Sequence, residues 1–225
     1  MISSRENAWF KRVRHAIREH ADEIALEGDK NIQDAIAAGW KPIATPEFAP
    51  KLLKSLTDTK AVALFARPRW KIDDLFKGKI AIALDGVQDP GNVGTIVRLA
   101  AAFDASGVIL LPGCADAYGP KAIRASAGAI LHVPIVEMTV DALLARGVPI
   151  FAADMNGSDE LPHGILVFGS EGQGVSERLR TNRVSVRTSG RIESLNVAAA
   201  AAILLWRTFN ERQAADRRDP DRKPR

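Results

Sequence analysis

Three short polar segments of this chain carry the residue types that could bind a ligand or take part in a reaction. Each follows an apolar run and precedes a helical pattern, and they span residues 89–98, 169–174 and 193–196. Glycines at such junctions let a ligand approach the backbone closely, and open parallel sheets bind ligands beyond the carboxyl ends of their strands. The three segments therefore predict one shared site at the edge of a sheet.

The glycine-rich segment has the order Gly169-x-x-Gly172-x-Gly174. This order differs from the G-x-G-x-x-G fingerprint of dinucleotide-binding folds, and no Gly-Lys-Ser/Thr follows to make a P-loop. Two interpretations stay open, an ordinary tight turn or a loop that binds a nucleotide-like ligand. Glu171 is correspondingly either an exposed turn residue or a carboxylate that holds a neighbouring loop.

In the first segment, Asn92 is predicted to be the N-cap of a helix, and Arg98 lies six residues later among apolar residues. A charged side chain in such a helix is costly unless it reaches a partner or borders a cleft. Arg98 therefore either extends to water along the surface, pairs with Asp85 or Glu171, or has a function in a cleft.

In the third segment, Ser194 is predicted to cap a helix over residues 194–212. Asn196 lies just inside that helix, which is apolar over most of its first half. A polar amide at the start of a buried helix needs a hydrogen-bond partner, so Asn196 is predicted to find one in the shared site.

The elements that must position these segments alternate along the chain. Strands are predicted over residues 80–84, 108–111, 133–136, 149–153, 165–168 and 184–186, and helices over residues 92–103, 121–127, 140–146 and 175–181. Short, fully apolar strands that alternate with helices are typical of a parallel sheet covered on both faces. The predicted fold class is therefore α/β.

The same patterns divide the chain into four parts. A small α/β domain is predicted over residues 1–68, a polar linker over 69–78, the main domain over 79–212, and a charged flexible tail over 213–225. Within the small domain, helices are predicted over residues 3–20, 29–38 and 51–56, and strands over residues 23–27 and 61–66.

Composition limits the class of protein. No apolar run reaches the roughly 18 residues of a membrane span, and the first residues lack the apolar region of a signal peptide. The prediction is therefore a cytoplasmic protein without membrane contact. The single cysteine, Cys114, excludes a disulfide framework within the chain and argues against a cysteine-based metal site, so no metal is predicted.

Basic residues are concentrated at the two ends of the chain. Residues 1–77 hold 14 Lys/Arg against 11 Asp/Glu, residues 78–206 hold 10 against 12, and residues 207–225 hold 7 against 4. This distribution suits a mildly acidic catalytic core with basic arms for a polyanion. A solvated surface with an incidental charge bias is the alternative.

Taken together, the three segments resemble the SpoU (TrmH-type) class of SPOUT methyltransferases over about residues 79–210. The family motifs are matched by Asn92, Gly94 and Arg98, by the strand and Gly-x-Glu-Gly-x-Gly loop at residues 166–174, and by Ser-Leu-Asn-Val-Ala at residues 194–198. The segment at residues 118–128 is also similar to the family. The resemblance implies a parallel sheet that ends in a C-terminal trefoil knot, and a symmetric homodimer.

The activity implied by this resemblance is methyl transfer from S-adenosylmethionine to a ribose 2′-hydroxyl of RNA, with rRNA favoured over tRNA. Carried over by motif, the catalytic residues would be Arg98, Asn92, Glu171, Ser194 and Asn196, and the cofactor-binding residues Gly169, Gly174, Val186 and Leu195. Arg98 would favour the 2′-oxyanion, Asn92, Ser194 and Asn196 would orient the ribose or the arginine, and Glu171 would hold the loops together.

One position departs from the family pattern. Where the family usually has Ile-Pro-Met, this chain has Val186-Arg187-Thr188, so the resemblance does not determine the shape of the cofactor loop. A catalytically inactive RNA-binding protein with the same fold is therefore an alternative. A second alternative is an NAD-dependent enzyme, but that would need a G-x-G-x-x-G sequence after the first strand of the sheet, which this chain does not have.

The small domain has a weaker family counterpart. Glu27-Gly28 and the helix that follows resemble the start of the substrate-binding domain of SpoU-type rRNA methyltransferases. RNA binding by the arginine-rich first helix is therefore predicted, with a dimer-stabilising or vestigial module as the alternative.

Overall fold

The structure, a computed structural model, describes residues 1–19, 22–76 and 80–218. Its helices are α1 (Ala8–Glu19), α2 (Asp29–Ala37), α3 (Pro50–Leu53), α4 (Pro90–Ala102), α5 (Pro120–Ser126), α6 (Val140–Leu144) and α7 (Val197–Arg218). Its strands are β1 (Glu23–Glu27), β2 (Pro42–Ala44), β3 (Val62–Ala66), β4 (Ala81–Asp85), β5 (Gly107–Leu110), β6 (Ile135–Glu137), β7 (Ile150–Ser158), β8 (Ile165–Gly169) and β9 (Asn182–Val184). None of the helices in the described ranges is long and apolar enough to cross a membrane.

Six strands form one sheet in the order β6-β5-β4-β8-β7-β9, and every neighbouring pair is parallel. Successive residues of β4 alternate between the two faces. Ile82 and Leu84 pack in a core with α4 and α7, and Ala81 and Ala83 pack in a second core with α6. The predicted α/β fold with a parallel sheet covered on both faces is confirmed.

The N-terminal strands form a separate antiparallel sheet, β1-β3-β2. Phe10 and Val13 of α1 cover one face of it. The other face contributes Ile24 and Phe65 to the same core that contains Ile82 of β4. The small unit therefore packs directly against the larger one, and β2 is a strand that the sequence did not predict. The division at residues 68 and 79 stays a prediction.

Part of the predicted linker is structured. Residues Ile72–Phe76 form a 3₁₀ turn, and Leu75 within it is fully buried in the second core. Polar neighbours hide this single apolar anchor from a periodicity argument. Residues 77–78 of the linker and residue 79, the predicted start of the main domain, lie outside the described residues.

Several predicted boundaries are wrong. The predicted helix over residues 175–181 is only a 3₁₀ turn, Glu177–Leu179. The last helix begins at Val197 and continues to Arg218, beyond the predicted end at residue 212, because charged residues continue an exposed helix without any apolar pattern. Residues 219–225 of the predicted tail lie outside the described residues. The C-terminal knot stays a prediction.

Candidate active site

The three predicted segments meet at the carboxyl edge of the six-stranded sheet, after β4, β8 and β9. Their closest contact is a cluster of three side chains, which we call the Asn–Glu–Asn cluster. Glu171 Oε1 accepts hydrogen bonds from Asn92 Nδ2 and from Asn196 Nδ2, each 2.9 Å long. Asn196 Nδ2 also donates to Asn92 Oδ1 at 3.2 Å. The interpretation of Glu171 as a carboxylate that holds neighbouring loops together is confirmed.

Asn196, and not Ser194, is the N-cap of α7. Its Oδ1 accepts hydrogen bonds from the N–H groups of Ala198 at 3.0 Å and Ala199 at 3.3 Å. The predicted cap at Ser194 is wrong because the helix begins two residues later, and Ser194 is exposed. The one amide therefore caps the helix with its oxygen and joins the other loops with its nitrogen, which satisfies the predicted need for a partner.

Asn92 is likewise not a helix cap. Asp89 caps α4 by accepting a hydrogen bond from Asn92 N–H at 2.9 Å, and Pro90 occupies the first turn. Lys121 of α5 donates to the other Asp89 oxygen at 2.6 Å. This hydrogen bond and the Asn92 N–H hold the pKa of Asp89 below its ordinary value. The Asn92 side chain is thereby left available for Glu171.

A cavity of about 620 Å³, which we call the α7 cavity, lies beside the start of α7. All four predicted cofactor residues line it: Gly169, Gly174, Val186 and Leu195. Ser194 and Thr188 line it as well. Sequence reasoning missed Asp154 and Asn156, which also line this cavity. Asp154 directly follows a predicted strand, so the strand-end rule could have found it.

A second cavity of about 630 Å³, which we call the α4 cavity, lies beside the start of α4. Its wall includes Gln88, Asn92 and Gln173, and it shares residues 170–174 with the α7 cavity. The glycine-rich loop is thus a common wall between two cavities. The loop is compact because it folds back on itself: a Cβ atom at Gly169 would lie 2.0 Å from the Gly174 carbonyl carbon.

Arg98 does not lie with the other predicted catalytic residues. It is exposed on α4, it lines neither cavity, and within the described ranges it has no hydrogen bond or ion pair. The predicted pairing alternatives are wrong, because Asp85 accepts a hydrogen bond from Ser176 N–H at 2.7 Å and Glu171 is held by the two asparagines. In the single chain, the Arg98 side chain is exposed to water, as the first of the predicted alternatives had it.

Helix α7, which packs beside the helix that carries Arg98, exposes two large apolar side chains. Helices α4 and α7 run side by side in the same direction, since Asn92 contacts Asn196 at one end and Phe103 contacts Phe209 at the other, with ring centroids 6.1 Å apart. At the level of Arg98, Ile203 and Trp206 of α7 are 42% and 56% exposed. Large apolar side chains that are exposed together on one helix are typical of a surface that another molecule covers.

The residues that depart from the family pattern have separate contacts. Thr188 lines the α7 cavity, whereas Arg187 forms an ion pair with Asp159 at 2.9 Å. The departure therefore places a threonine at the cavity where the family usually has a methionine, and the added charge of Arg187 lies outside the cavity wall. No group of three or more metal-ligating side chains is found in the part of the chain that the structure describes.

Comparison with known proteins identifies the family. The SpoU rRNA Methylase family matches residues 79–206. A 23S rRNA (guanosine(2553)-2′-O)-methyltransferase of Bacillus subtilis is 38% identical over 198 residues, which cover 82% of this chain and 79% of that protein. A 23S rRNA (uridine(2479)-2′-O)-methyltransferase of Streptomyces viridochromogenes is 31% identical over 249 residues, covering 87% of this chain and 85% of that protein.

A solved structure extends the similarity to the whole fold. The SpoU methyltransferase of Streptomyces viridochromogenes in complex with S-adenosylmethionine superposes with a TM-score of 0.80 at 26% identity, covering 93% of this chain and 99% of that one. The match includes both the small N-terminal unit and the parallel sheet. On the evidence of its sequence, its fold and its converging loops, this chain belongs to the SpoU rRNA methylase family.

Proposed function

We propose that this protein transfers the methyl group of S-adenosylmethionine to a ribose 2′-hydroxyl of rRNA. The observation that carries the proposal is the pair of cavities that share the glycine-rich loop, with the Asn–Glu–Asn cluster in that region. Methyl transfer requires donor and acceptor to be held next to each other and in line, and two adjoining cavities provide this arrangement. The two 23S rRNA methyltransferases among its relatives support rRNA over tRNA. An rRNA substrate agrees with the predicted cytoplasmic location.

The α7 cavity fits the methyl donor in size and chemistry. Its volume of about 620 Å³ falls in the range of small-molecule sites, roughly 300–1,000 Å³. Val186, Leu195 and Ile192 offer apolar contacts for an adenine ring, and the Asp154 and Glu193 carboxylates lower the energy of a nearby cation. When bound, S-adenosylmethionine supplies a methyl group already activated by its sulfonium. The residues of the chain therefore need only to position the acceptor and help to remove its proton.

The α4 cavity is suited to the acceptor nucleotide. Its polar wall includes the Gln88 and Gln173 side chains, which have no hydrogen bond to any other described residue and can pair with a base or a ribose. The Asn92 amide, fixed by Glu171, can orient the ribose. A ribose 2′-hydroxyl is a very weak acid, so a positive charge beside it is needed to favour the oxyanion.

Arg98 would provide that charge to a second copy of the chain. In a symmetric dimer the same patch contacts itself, and the exposed patch of Arg98, Ile203 and Trp206 combines an apolar surface with an arginine, the composition favoured at interface centres. Pairing across α4 and α7 would bury Trp206 and carry each Arg98 toward the partner molecule. This placement would explain why Arg98 lies outside both cavities of its own chain.

A mixing experiment tests the reaction and the dimer together. Arg98→Ala and Glu171→Ala, which removes the acceptor of both asparagine hydrogen bonds, should each lose most methyl transfer to rRNA, and Arg98→Ala should keep normal S-adenosylmethionine binding in calorimetry. Equal amounts of the two variants, unfolded and refolded together, should recover about a quarter of the wild-type sites, because each mixed dimer holds one intact site. No recovery, with dimers present, would contradict a site shared between subunits. Near-normal activity of Arg98→Ala would contradict its catalytic role.

The small N-terminal unit would hold the RNA through α1. Lys11 and Arg12 are already paired with Glu6 and Glu23, whereas Arg14 and Arg18 lie exposed one turn apart. Reversing both charges (Arg14→Glu with Arg18→Glu) should lower RNA affinity about tenfold and reduce the slope of log affinity against log salt by about 1.5. Lys30→Glu on α2, beyond the opposite face of the small sheet, is the control. An unchanged salt slope in the double variant would exclude α1 from the RNA contact.

A further inference from the structure

The loop between β9 and α7 is part of the α7 cavity wall but has few polar contacts with the rest of the protein. We call residues 186–195 the β9–α7 loop, and Val186, Thr188 and Leu195 of this loop line the cavity. Among the described residues, this loop forms a single hydrogen bond, in which Gly190 N–H donates to Thr188 Oγ1 at 3.3 Å. Both partners of this hydrogen bond belong to the loop itself. Its position must therefore depend on other contacts.

One ion pair joins the β9–α7 loop to the body of the protein. Arg187 Nη2 lies 2.9 Å from Asp159 Oδ2. The other Asp159 oxygen accepts a hydrogen bond from Arg207 Nη1 of α7 at 2.6 Å, and Arg207 Nη2 donates to the Glu160 carbonyl at 3.0 Å. The Arg207 side chain is only 23% exposed, so it is a fixed anchor. The Asp159 carboxylate thus connects the β9–α7 loop to α7.

The loop also lacks an internal constraint that its family uses. Arg187 stands where the SpoU motif usually has a proline. A proline fixes one backbone angle of its loop covalently, and arginine imposes no such limit. The ion pair with Asp159 supplies a restraint at the same position from outside the loop. Because the pair is exposed, its strength should fall as salt screens the charges.

We infer that Asp159 is a positioning residue for the methyl donor: it holds the β9–α7 loop against α7 through Arg187 and so sets the affinity of the α7 cavity for S-adenosylmethionine. The inference rests on the proposed function, because it assumes that this cavity binds the donor. Asp159 itself does not line the cavity and takes no part in the chemistry. Its substitution should therefore change cofactor affinity while the methyl-transfer step is retained.

Calorimetric titration with S-adenosylmethionine tests this. Asp159→Asn should raise the Kd about two- to fivefold, and the KM for S-adenosylmethionine should rise by the same factor while kcat at saturating cofactor stays within about twofold. Asp159→Glu, which keeps the charge, should recover part of the affinity. The matched control is Asp73→Asn, which breaks the ion pair between Asp73 and Arg146. The two side chains are 2.8 Å apart and line neither cavity, so this variant should leave the Kd unchanged.

A double-mutant cycle separates the loop from the helix anchor. Arg187→Gln should weaken binding by a factor similar to Asp159→Asn, and the two changes together should add little, because they remove the same contact. Wild-type affinity in Arg187→Gln, or equal effects of Asp159→Asn and Asp73→Asn, would overturn the inference alone. A wild-type protein that binds no S-adenosylmethionine would overturn the proposed function itself.

Discussion

Replacing Asn196 by aspartate separates its two structural roles. An aspartate caps a helix as well as asparagine, so the hydrogen bonds from the Ala198 and Ala199 N–H groups are kept. The Nδ2 donor that reaches Glu171 at 2.9 Å is replaced by a negatively charged oxygen. Two carboxylate oxygens about 3 Å apart repel each other by about 1.4 kcal/mol even with the dielectric constant of water.

Loss of the two donated hydrogen bonds adds to this repulsion, although the exposed side chains can rotate apart. We therefore expect Asn196→Asp to lower the free energy of unfolding by about 2 kcal/mol at pH 7. Glu171 raises the pKa of the introduced carboxyl, so the repulsive part of the penalty is absent below the unfolded-state pKa of about 4 and develops as pH rises from there to the raised folded-state pKa. The loss of stability should consequently be smaller at pH 5 than at pH 7.

Urea unfolding followed by tryptophan fluorescence at the two pH values measures this difference. Asn196→Ser is the matched control, since it keeps a capping oxygen but adds no charge, and it should show a smaller loss of stability without the pH dependence. Methyl transfer should fall in both variants because the loops that carry Asn92 and Glu171 lose their link to α7. An Asn196→Asp variant as stable as wild type, or equally destabilised at pH 5 and pH 7, would show that residues 171 and 196 do not interact in the folded protein as described.

Two further predictions follow from packing and burial. A Cβ atom at Gly94 would lie 2.2 Å from the Ala122 carbonyl oxygen, so Gly94→Ala should reduce the free energy of unfolding in urea by about 2 kcal/mol. Gly172→Ala is the control and should be nearly neutral, because a Cβ atom at Gly172 would have no other atom within 4 Å. Burial raises the pKa of Tyr118, the single tyrosine, to about 12. The contribution of Tyr118 to stability is complete below pH 10 and is lost toward pH 12, about 3 kcal/mol in all. Tyrosinate absorbance should titrate near pH 12 in the folded protein, and a midpoint near pH 10 before unfolding would contradict the burial.

The sequence predicted the parallel sheet and the convergence of the loops because both follow from local patterns. Apolar strands such as 165–168 need no tertiary information, and parallel strands place their carboxyl ends on one edge. The N-cap residues of α4 and α7 were harder to predict from the sequence. Ser194 and Asn196 are both good caps two residues apart, as are Asp89 and Asn92 three residues apart, and only the packing of the helix decides between them.

Other features depend on contacts that no local pattern encodes. The burial of Leu75 and the short strand β2 are fixed by the neighbouring core and by the edge of β3. The position of Arg98 outside both cavities depends on how α4 packs beside α7, and its role in a partner molecule would depend on a surface that exists only in the assembly. The Arg187–Asp159 pair joins segments far apart in the sequence.

The position of the transferred methyl group decides whether this protein is an RNA ribose 2′-O-methyltransferase. The assay incubates the purified protein with tritiated S-adenosylmethionine and with rRNA that lacks the ribose 2′-O-methyl group. The RNA is then digested to nucleosides and analysed by mass spectrometry. We expect one 2′-O-methylated nucleoside whose formation is lost in Arg98→Ala, while that variant still binds S-adenosylmethionine. A methyl group on a base, or no transfer by a wild-type protein that binds both S-adenosylmethionine and RNA, would contradict the claim.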